Sequence, residues 1–330
     1  MPPTPKNIII TGAGGFIGPL LAARLLDDPA YRVILTDLVE PAVPPGVKYP
    51  QHATSLRGDI GDRSFVASLL DAAAPLSAVF VFHGIMSAGA EADWDLSLRV
   101  NVDSVRDLLL ALKARFPGVI VRVVYSSSQA VYGRPLPDGP VPNGVAPTPE
   151  STYGAHKLMT EVLINDMHRR GFIDAFSLRF PTVAVRPGAP TNAASSFLSG
   201  MIREPMKGAE SVIPLEDRSF RSFITSPAVL QENLIRVLNM DSYSGSLRRH
   251  IRHINVPGIS VSIQELMDAL AKYGGEDKLK YLREETDPRL ERILRSWVPE
   301  MDTTTSLELG LIKDESADSI VKQYIDSLKS

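Results

Sequence analysis

A run of β-branched residues, Ile8-Ile9-Ile10, passes straight into a glycine-dense turn, and the apolar-rich stretch Leu20-Leu21-Ala22-Ala23-Arg24-Leu25-Leu26 comes next. The run reads as a buried strand and the stretch as a helix. The same alternation recurs down the chain. Residues 31–37, 56–60, 78–84, 119–125 and 173–180 are further runs of strand length, and residues 63–73, 90–116 and 151–169 between them read as helices. In 90–116 the positions Leu96, Val100, Val105, Leu108, Leu109 and Leu112 keep a roughly helical spacing. Such alternation predicts an α/β protein with a doubly wound parallel sheet.

From Pro181 the pattern changes. Residues 181–190 form a proline-punctuated loop, and the rest of the chain is a mixture of short elements. Helices are expected at 194–202, 227–238, 262–273, 288–295, 303–309 and 317–328, and extended segments near 211–214, 219–225 and 251–256. This smaller mixed α/β portion is expected to cap the carboxyl ends of the sheet strands, where ligands bind in such folds. Residues 1–185 then make a nucleotide-binding unit, 215–256 return elements to it, and 186–214 and 257–330 make the substrate-capping portion.

Composition narrows the chemistry. At 330 residues the chain suits one large domain or two joined ones, and 44% hydrophobic with 22% charged residues is ordinary for a globular protein. A formal net charge of -3 gives no reason to expect a nucleic-acid or membrane surface. With no cysteine, disulfides, thiol catalysis and zinc–cysteine sites are excluded, and no metal site is expected. Neither a signal-peptide core nor a bilayer-length apolar run occurs, so a cytoplasmic location is the expectation.

The glycines after the first strand have the spacing G-x-x-G-x-x-G, at Gly12, Gly15 and Gly18. Gly12 permits the tight turn, Gly15 lets a pyrophosphate approach the backbone, and Gly18 lets the helix pack closely on the strand. Strand, glycine turn and helix together place a phosphate on a helix N-terminus, as in a Rossmann-type dinucleotide site. Pro19 is tolerated in the first helical turn. The second strand ends in Asp37, 19 positions after Gly18, where a carboxylate accepts hydrogen bonds from both adenosine ribose hydroxyls. A 2′-phosphate there is repelled, so the expected cofactor is NAD rather than NADP. Asp59 is placed at the adenine amino group with Ile60 packing on the ring. His83 and Gly84 end the next strand beside the nicotinamide ribose, and His83 is read as a shape-filling hydrogen-bonding residue rather than a base. Asn101, within the long helix, either fixes a water or backbone carbonyl near the site or faces solvent.

Tyr153 and Lys157 lie four apart at the start of a helix and share a face. A phenol ionises near pH 10, too high for a base at neutral pH, and a neighbouring ammonium lowers that value. Tyr153 then removes the proton of a substrate alcohol while hydride leaves its carbon. Lys157 also holds the nicotinamide ribose, and Ser128, ending the preceding strand, fixes the reacting oxygen.

These pieces together resemble the extended short-chain dehydrogenase/reductase family. The resemblance rests on Thr11 to Gly18, Gly58-Asp59-Ile60, Ser126 to Gly133, Tyr153-x-x-x-Lys157 and Arg221-Ser222-Phe223-Ile224, and covers nearly the whole chain. It implies Ser128, Tyr153 and Lys157 as the catalytic group. It also implies a dinucleotide site made by Gly12, Gly15, Phe16, Ile17, Gly18, Asp37, Asp59, Ile60, His83, Gly84, Ser126, Tyr153, Lys157, Pro181 and Val183. Dehydratases of the family carry an acidic pair where this chain has Gln129-Ala130, so water elimination lacks its acid and base. Segments 181–188, 192–196, 202–205 and 302–304 are similar to the sugar-acid dehydrogenases of the family, which implies oxidation of a C2 hydroxyl to a 2-keto acid. A sugar-nucleotide epimerase, or a dehydrogenase of a uronate or another aldonate, is the alternative within the family, and a cofactor-sensing scaffold the alternative outside it. A sugar acid needs a cation for its carboxylate. Arg186 and Arg221 are the first candidates and Arg203 the third; Asn192, Ser195 and Ser196 offer donors for the hydroxyls, and Ser87 is within expected reach. The substrate-binding set is thus Ser87, Ser128, Tyr153, Arg186, Asn192 and Arg221. The resemblance further implies a homodimer built on the helices at 90–116 and 153–169.

Overall fold

The computed structural model describes residues 4–189, 193–242, 248 and 250–329. In chain order the first half reads β1 (Lys6–Thr11), α1 (Ile17–Leu26), β2 (Tyr31–Asp37), β3 (Ala53–Arg57), α2 (Arg63–Ala72), β4 (Leu76–Val81), α3 (Ser87–Ala92), α4 (Trp94–Leu98), α5 (Ser104–Arg115), β5 (Arg122–Ser128), α6 (Thr152–Arg169) and β6 (Asp174–Phe180). The second half reads β7 (Thr182–Val183), α7 (Ser196–Met206), β8 (Ser211–Ile213), β9 (Arg221–Thr225), α8 (Pro227–Asn239), β10 (His253–Asn255), β11 (Ile259–Ser262), α9 (Ile263–Gly274), β12 (Leu282–Glu284), α10 (Pro288–Arg295), α11 (Thr304–Glu308) and α12 (Ala317–Ser327).

Seven strands form one parallel sheet in the order β10-β6-β5-β4-β1-β2-β3. Successive side chains of a strand point to opposite faces, and β1 shows what that does here. Ile8 and Ile10 pack with Leu21 and Leu25 of α1 and with Leu230 and Leu234 of α8. Ile9 packs on the other face with Val66 and Leu69 of α2, Leu108 of α5 and Ile164 of α6. Helices on both faces make the sheet doubly wound. The strand order reverses between β1 and β4, which opens a crevice at their carboxyl ends.

A smaller mixed sheet, β11-β9-β7, and the parallel pair β12-β8 complete the fold. β7 runs parallel and β11 antiparallel to β9. Their core is separate, with Leu198 and Met201 of α7, Leu266 and Leu270 of α9 and Ile320 and Val321 of α12. Residues 215–256 divide between the two sheets: β9 belongs to the smaller one, whereas α8 and β10 pack on or pair with the large one.

The apolar runs and the observed strands mostly coincide, with instructive differences. The stretch 90–116 is not one helix. Asp93 ends α3 and, accepting from the Leu96 amide at 2.8 Å, starts α4; a π-turn over Arg99–Asp103 then leads into α5. β5 extends three residues beyond 125 and so carries Ser128 as its last residue. β7, β11 and β12 lie where no strand was expected, and each has four residues or fewer. Runs that short carry no readable period.

Candidate active site

The crevice at the strand ends is a cleft of about 310 Å³. Of the residues expected at a dinucleotide, Gly12, Gly15, Phe16, Ile17, Gly84, Ser126, Tyr153, Lys157, Pro181 and Val183 line it. Gly12 has φ +67°, and a Cβ there would lie 2.5 Å from the His83 amide nitrogen, so glycine is required. A Cβ at Gly18 would lie 2.6 Å from the Ala13 Cα, which sets how closely α1 approaches the turn. α1 opens at Ile17 without a side-chain cap, leaving its first-turn amides for an anion. At the end of β2, the Asp37 carboxylate accepts from the Gly14 amide at 2.9 Å and the Leu38 amide at 2.7 Å. Those bonds fix it beside the turn, with capacity left for a diol.

The other expected dinucleotide residues are placed differently. Asp59 is exposed and its Oδ1 accepts from the Gly61 amide at 2.8 Å. Ile60 is only 6% exposed and packs in the core with Val66 and Leu69 of α2. The His83 ring is bonded at both nitrogens. Ser104 Oγ donates to the Val100 carbonyl at 2.7 Å, so it accepts from His83 Nε2–H at 2.9 Å, and Thr11 Oγ1–H faces Nδ1 at 2.7 Å. Burial, with the Lys157 charge adding to it, pushes this imidazole down to about 3. It stays neutral and has no free nitrogen for proton transfer. Asn101 is buried and holds both backbone polar groups of Ile85, donating to its carbonyl at 3.0 Å and accepting from its amide at 2.8 Å. This clamp fixes the segment between Gly84 and Ser87 and excludes a solvent-facing role.

α6 starts at a sharp cap, Ser151 Oγ accepting from the Gly154 amide at 3.1 Å, a contact worth about 1 kcal/mol. That start places Tyr153 and Lys157 on the cleft side of the helix. Lys157 Nζ donates to the Ser126 carbonyl at 2.7 Å and lies 5.5 Å from the Tyr153 ring centroid. Burial pushes Tyr153 up to about 12, while the Ser128 hydroxyl and then the Arg186 guanidinium pull it back. Burial also pushes Lys157 down to about 7, opposed by Glu161. The sequence reading gave the task of lowering the tyrosine to Lys157; Arg186 is a second cation that acts on it.

Arg186 follows β7 and enters the cleft. Its Nε donates to the Val183 carbonyl at 2.8 Å, its amide to Ser199 Oγ at 3.0 Å, and Nη2 approaches Ser195 Oγ at 3.4 Å. Ser87, Ser128 and Ser195 line the same cleft. Arg203 does not; it is buried behind, paired with Glu204 at 2.6 Å and donating to the Arg186 carbonyl at 3.0 Å. Arg221 is a correction. Its side chain is 44% exposed, donates to the Ser260 carbonyl at 2.7 Å and pairs with Glu265 at 3.2 Å. Glu265 belongs to the capping box of α9, so Arg221 ties β9 to that helix and is not part of the cleft lining. Asn192 lies outside the described residues.

Two features escaped the sequence reading. One is a buried chain of polar groups under the cleft: Ser127 Oγ donates to Glu161 at 2.5 Å, Glu161 pairs with Arg179 at 2.7 Å, and Arg179 donates to Tyr132 Oη at 2.6 Å. Glu161 stands one turn after Lys157, so the signal was an acidic residue extending the Tyr153, Lys157 spacing. The other is Trp297, which lines the cleft from the end of α10. No motif surrounds it.

Among the described residues no helix is long and apolar enough to cross a membrane, and no cluster of His, Asp and Glu is arranged for a metal. The profile of the NAD dependent epimerase/dehydratase family matches residues 8–226. A D-erythronate dehydrogenase of Haemophilus influenzae is 35% identical over 326 residues, covering 97% of this chain and 99% of that protein. Another D-erythronate dehydrogenase, from Cupriavidus necator, is 34% identical over 327 residues, covering 97% and 98%. The crystal structure of a nucleoside-diphosphate-sugar epimerase from Agrobacterium tumefaciens superposes with a TM-score of 0.90 at 32% identity, covering 98% of this chain and 94% of that one. Profile and full-length likenesses agree, and the chain belongs to the NAD-dependent epimerase/dehydratase family of enzymes.

Proposed function

We propose that the protein is an NAD-dependent dehydrogenase of a small sugar acid, oxidising D-erythronate at C2 to the 2-keto acid. The observation that carries this reading is Arg186, a guanidinium placed in the same cleft as Ser128 and Tyr153 and close enough to act on the tyrosine. A fork of donors suits a carboxylate, and a 2-hydroxy acid carries its carboxylate one bond from the carbon to be oxidised. Full-length likeness to two D-erythronate dehydrogenases supports the same substrate class.

The turn after β1, the uncapped start of α1 and Asp37 fit NAD, and Lys157 and Ser126 fit its nicotinamide end. When bound, NAD supplies the acceptor for the hydride that leaves C2. Everything else is done by the chain. Arg186 holds the carboxylate, Ser128 donates to and positions the C2 oxygen, and Tyr153 takes the hydroxyl proton. Lys157 and Arg186 stabilise the phenolate that must form first. Ser87 and Ser195 bind the remaining hydroxyls. Asn192 is proposed to join them.

We further propose that two copies pair through α5 and α6, whose solvent faces carry Leu110, Met159 and Val162 at 49%, 50% and 62% exposure.

The likeness to the Agrobacterium epimerase favours a second reading, a sugar-nucleotide epimerase using the same Tyr153. An epimerase returns its hydride to the substrate and releases no net NADH. A screen of four- to six-carbon aldonates and uronates, followed by NADH absorbance, separates the two. Stoichiometric NADH with D-erythronate is expected. Interconversion of a nucleotide sugar without NADH, and no NADH from any acid, overturns the dehydrogenase.

A further inference from the structure

Trp297 is the one aromatic side chain that the elements after β7 contribute to the cleft among the described residues. It comes from the capping side and lines the same cleft as Arg186, Ser195, Ser128 and Tyr153. Its neighbours on the chain are fixed from two directions. From the capping side, its amide donates to the Leu294 carbonyl at 3.2 Å, closing the end of α10, and Arg295 pairs with Glu291 at 2.8 Å and with Asp217 at 3.4 Å. From the large sheet's side, Arg134 Nη2 donates to the Arg295 carbonyl at 3.0 Å. Three residues past the indole, the Val141 amide donates to the Glu300 carbonyl at 3.0 Å and the Asp302 amide to the Val141 carbonyl at 2.9 Å. Val298 and Met301 are buried with Val131, Tyr132 and Val141. The proline-rich loop 134–149 is therefore one anchor of the strap that carries Trp297.

The available space makes such a wall matter. A cleft of about 310 Å³ must take both the reacting end of a dinucleotide and the substrate, and ligand pockets span roughly 300–1,000 Å³. A large side chain whose neighbours along the chain are held on both flanks is suited to bound that space.

We propose that Trp297 sets substrate length: its indole bounds the space beyond C2 for an acid anchored by Arg186, admitting a four-carbon aldonate and turning away five- and six-carbon ones. This rests on the sugar-acid reading above. A single methylene in a tight pocket changes kcat/KM by about tenfold or more, so selectivity of this kind is measurable.

The test uses the full chain. With D-erythronate, a five-carbon and a six-carbon aldonate as substrates, Trp297→Ala is expected to raise the six- to four-carbon ratio of kcat/KM at least about tenfold, chiefly by lowering KM for the long acid. Trp297→Phe should fall between Ala and wild type, and keeps the test valid if Trp297→Ala does not fold. The chain has two tryptophans, and Trp94, 55% exposed on α4, is not in the cleft lining. In a Trp94→Phe background the remaining indole emission should shift on addition of D-erythronate. A D-erythronate-induced shift with an unchanged length ratio in both Trp297 variants overturns this inference alone. No shift and no turnover with any acid overturns the sugar-acid reading and this inference with it.

Discussion

The two sides of the cleft hold their functional groups by different means. On the sheet side, Ser128 is the last residue of a seven-residue strand and Lys157 sits in an 18-residue helix, tied to the Ser126 carbonyl at 2.7 Å. The buried Ser127–Glu161–Arg179 chain locks that strand to that helix and to β6. On the capping side, Arg186 follows a two-residue strand and is held by the Val183 carbonyl and by Ser195 and Ser199, while Trp297 hangs on a strap between α10 and Met301. Long hydrogen-bonded elements fix positions closely, and side-chain ties from short segments allow exchange of one residue for another. In the function proposed above, the proton chemistry falls to the rigid side and the choice of substrate to the other.

Substitutions on each side sharpen that division. Tyr153→Phe removes the proposed base, and turnover should fall about 10²–10⁴-fold while calorimetric NADH binding stays unchanged; retained turnover would break the assignment of chemistry to this side. Glu161→Leu leaves Arg179 buried and uncompensated, so urea denaturation should show a loss of about 3–5 kcal/mol. An unchanged stability would mean that the buried chain does not lock the strand to the helix. Arg186→Met should cost about 10–100-fold in kcat/KM for the acid, as expected for a lost charge-assisted hydrogen bond, with NADH binding unaffected. It has a second signature. The base must be deprotonated, and burial holds Tyr153 up at about 12 with Arg186 pulling it down. The rate of oxidation should therefore rise with pH below that value, and in Arg186→Met the rise should move to higher pH. A profile that does not move would separate Arg186 from the tyrosine. Arg221→Ala should change stability by less than about 1 kcal/mol, as an exposed pair does, and leave kinetics alone; a raised KM would return Arg221 to the substrate.

The sheet side was largely legible in the sequence because its signals are long or closely spaced. The strand from Lys6 to Thr11, the glycine turn, and the Tyr153, Lys157 pair on α6 all lie where apolar runs and spacing placed them. The break in 90–116 was hidden because the apolar positions keep near-helical spacing through the π-turn, and Asp93 serves as the end of one helix and the cap of the next. The capping side was harder. Arg186 and Arg221 look alike as isolated arginines beside strands; only tertiary contacts show that one enters the cleft and the other is taken up by Ser260 and Glu265. Trp297 was invisible for the same reason, since its place depends on a loop more than 150 positions earlier, through Arg134.

The most direct test of the central claim follows the hydrogen on C2. With D-erythronate carrying deuterium at C2, the protein is predicted to give deuterated NADH and the 2-keto acid in equal amounts, with the transfer lost in Tyr153→Phe. Unlabelled NADH from that substrate, or exchange of the label within a nucleotide sugar and no net NADH, would contradict the account.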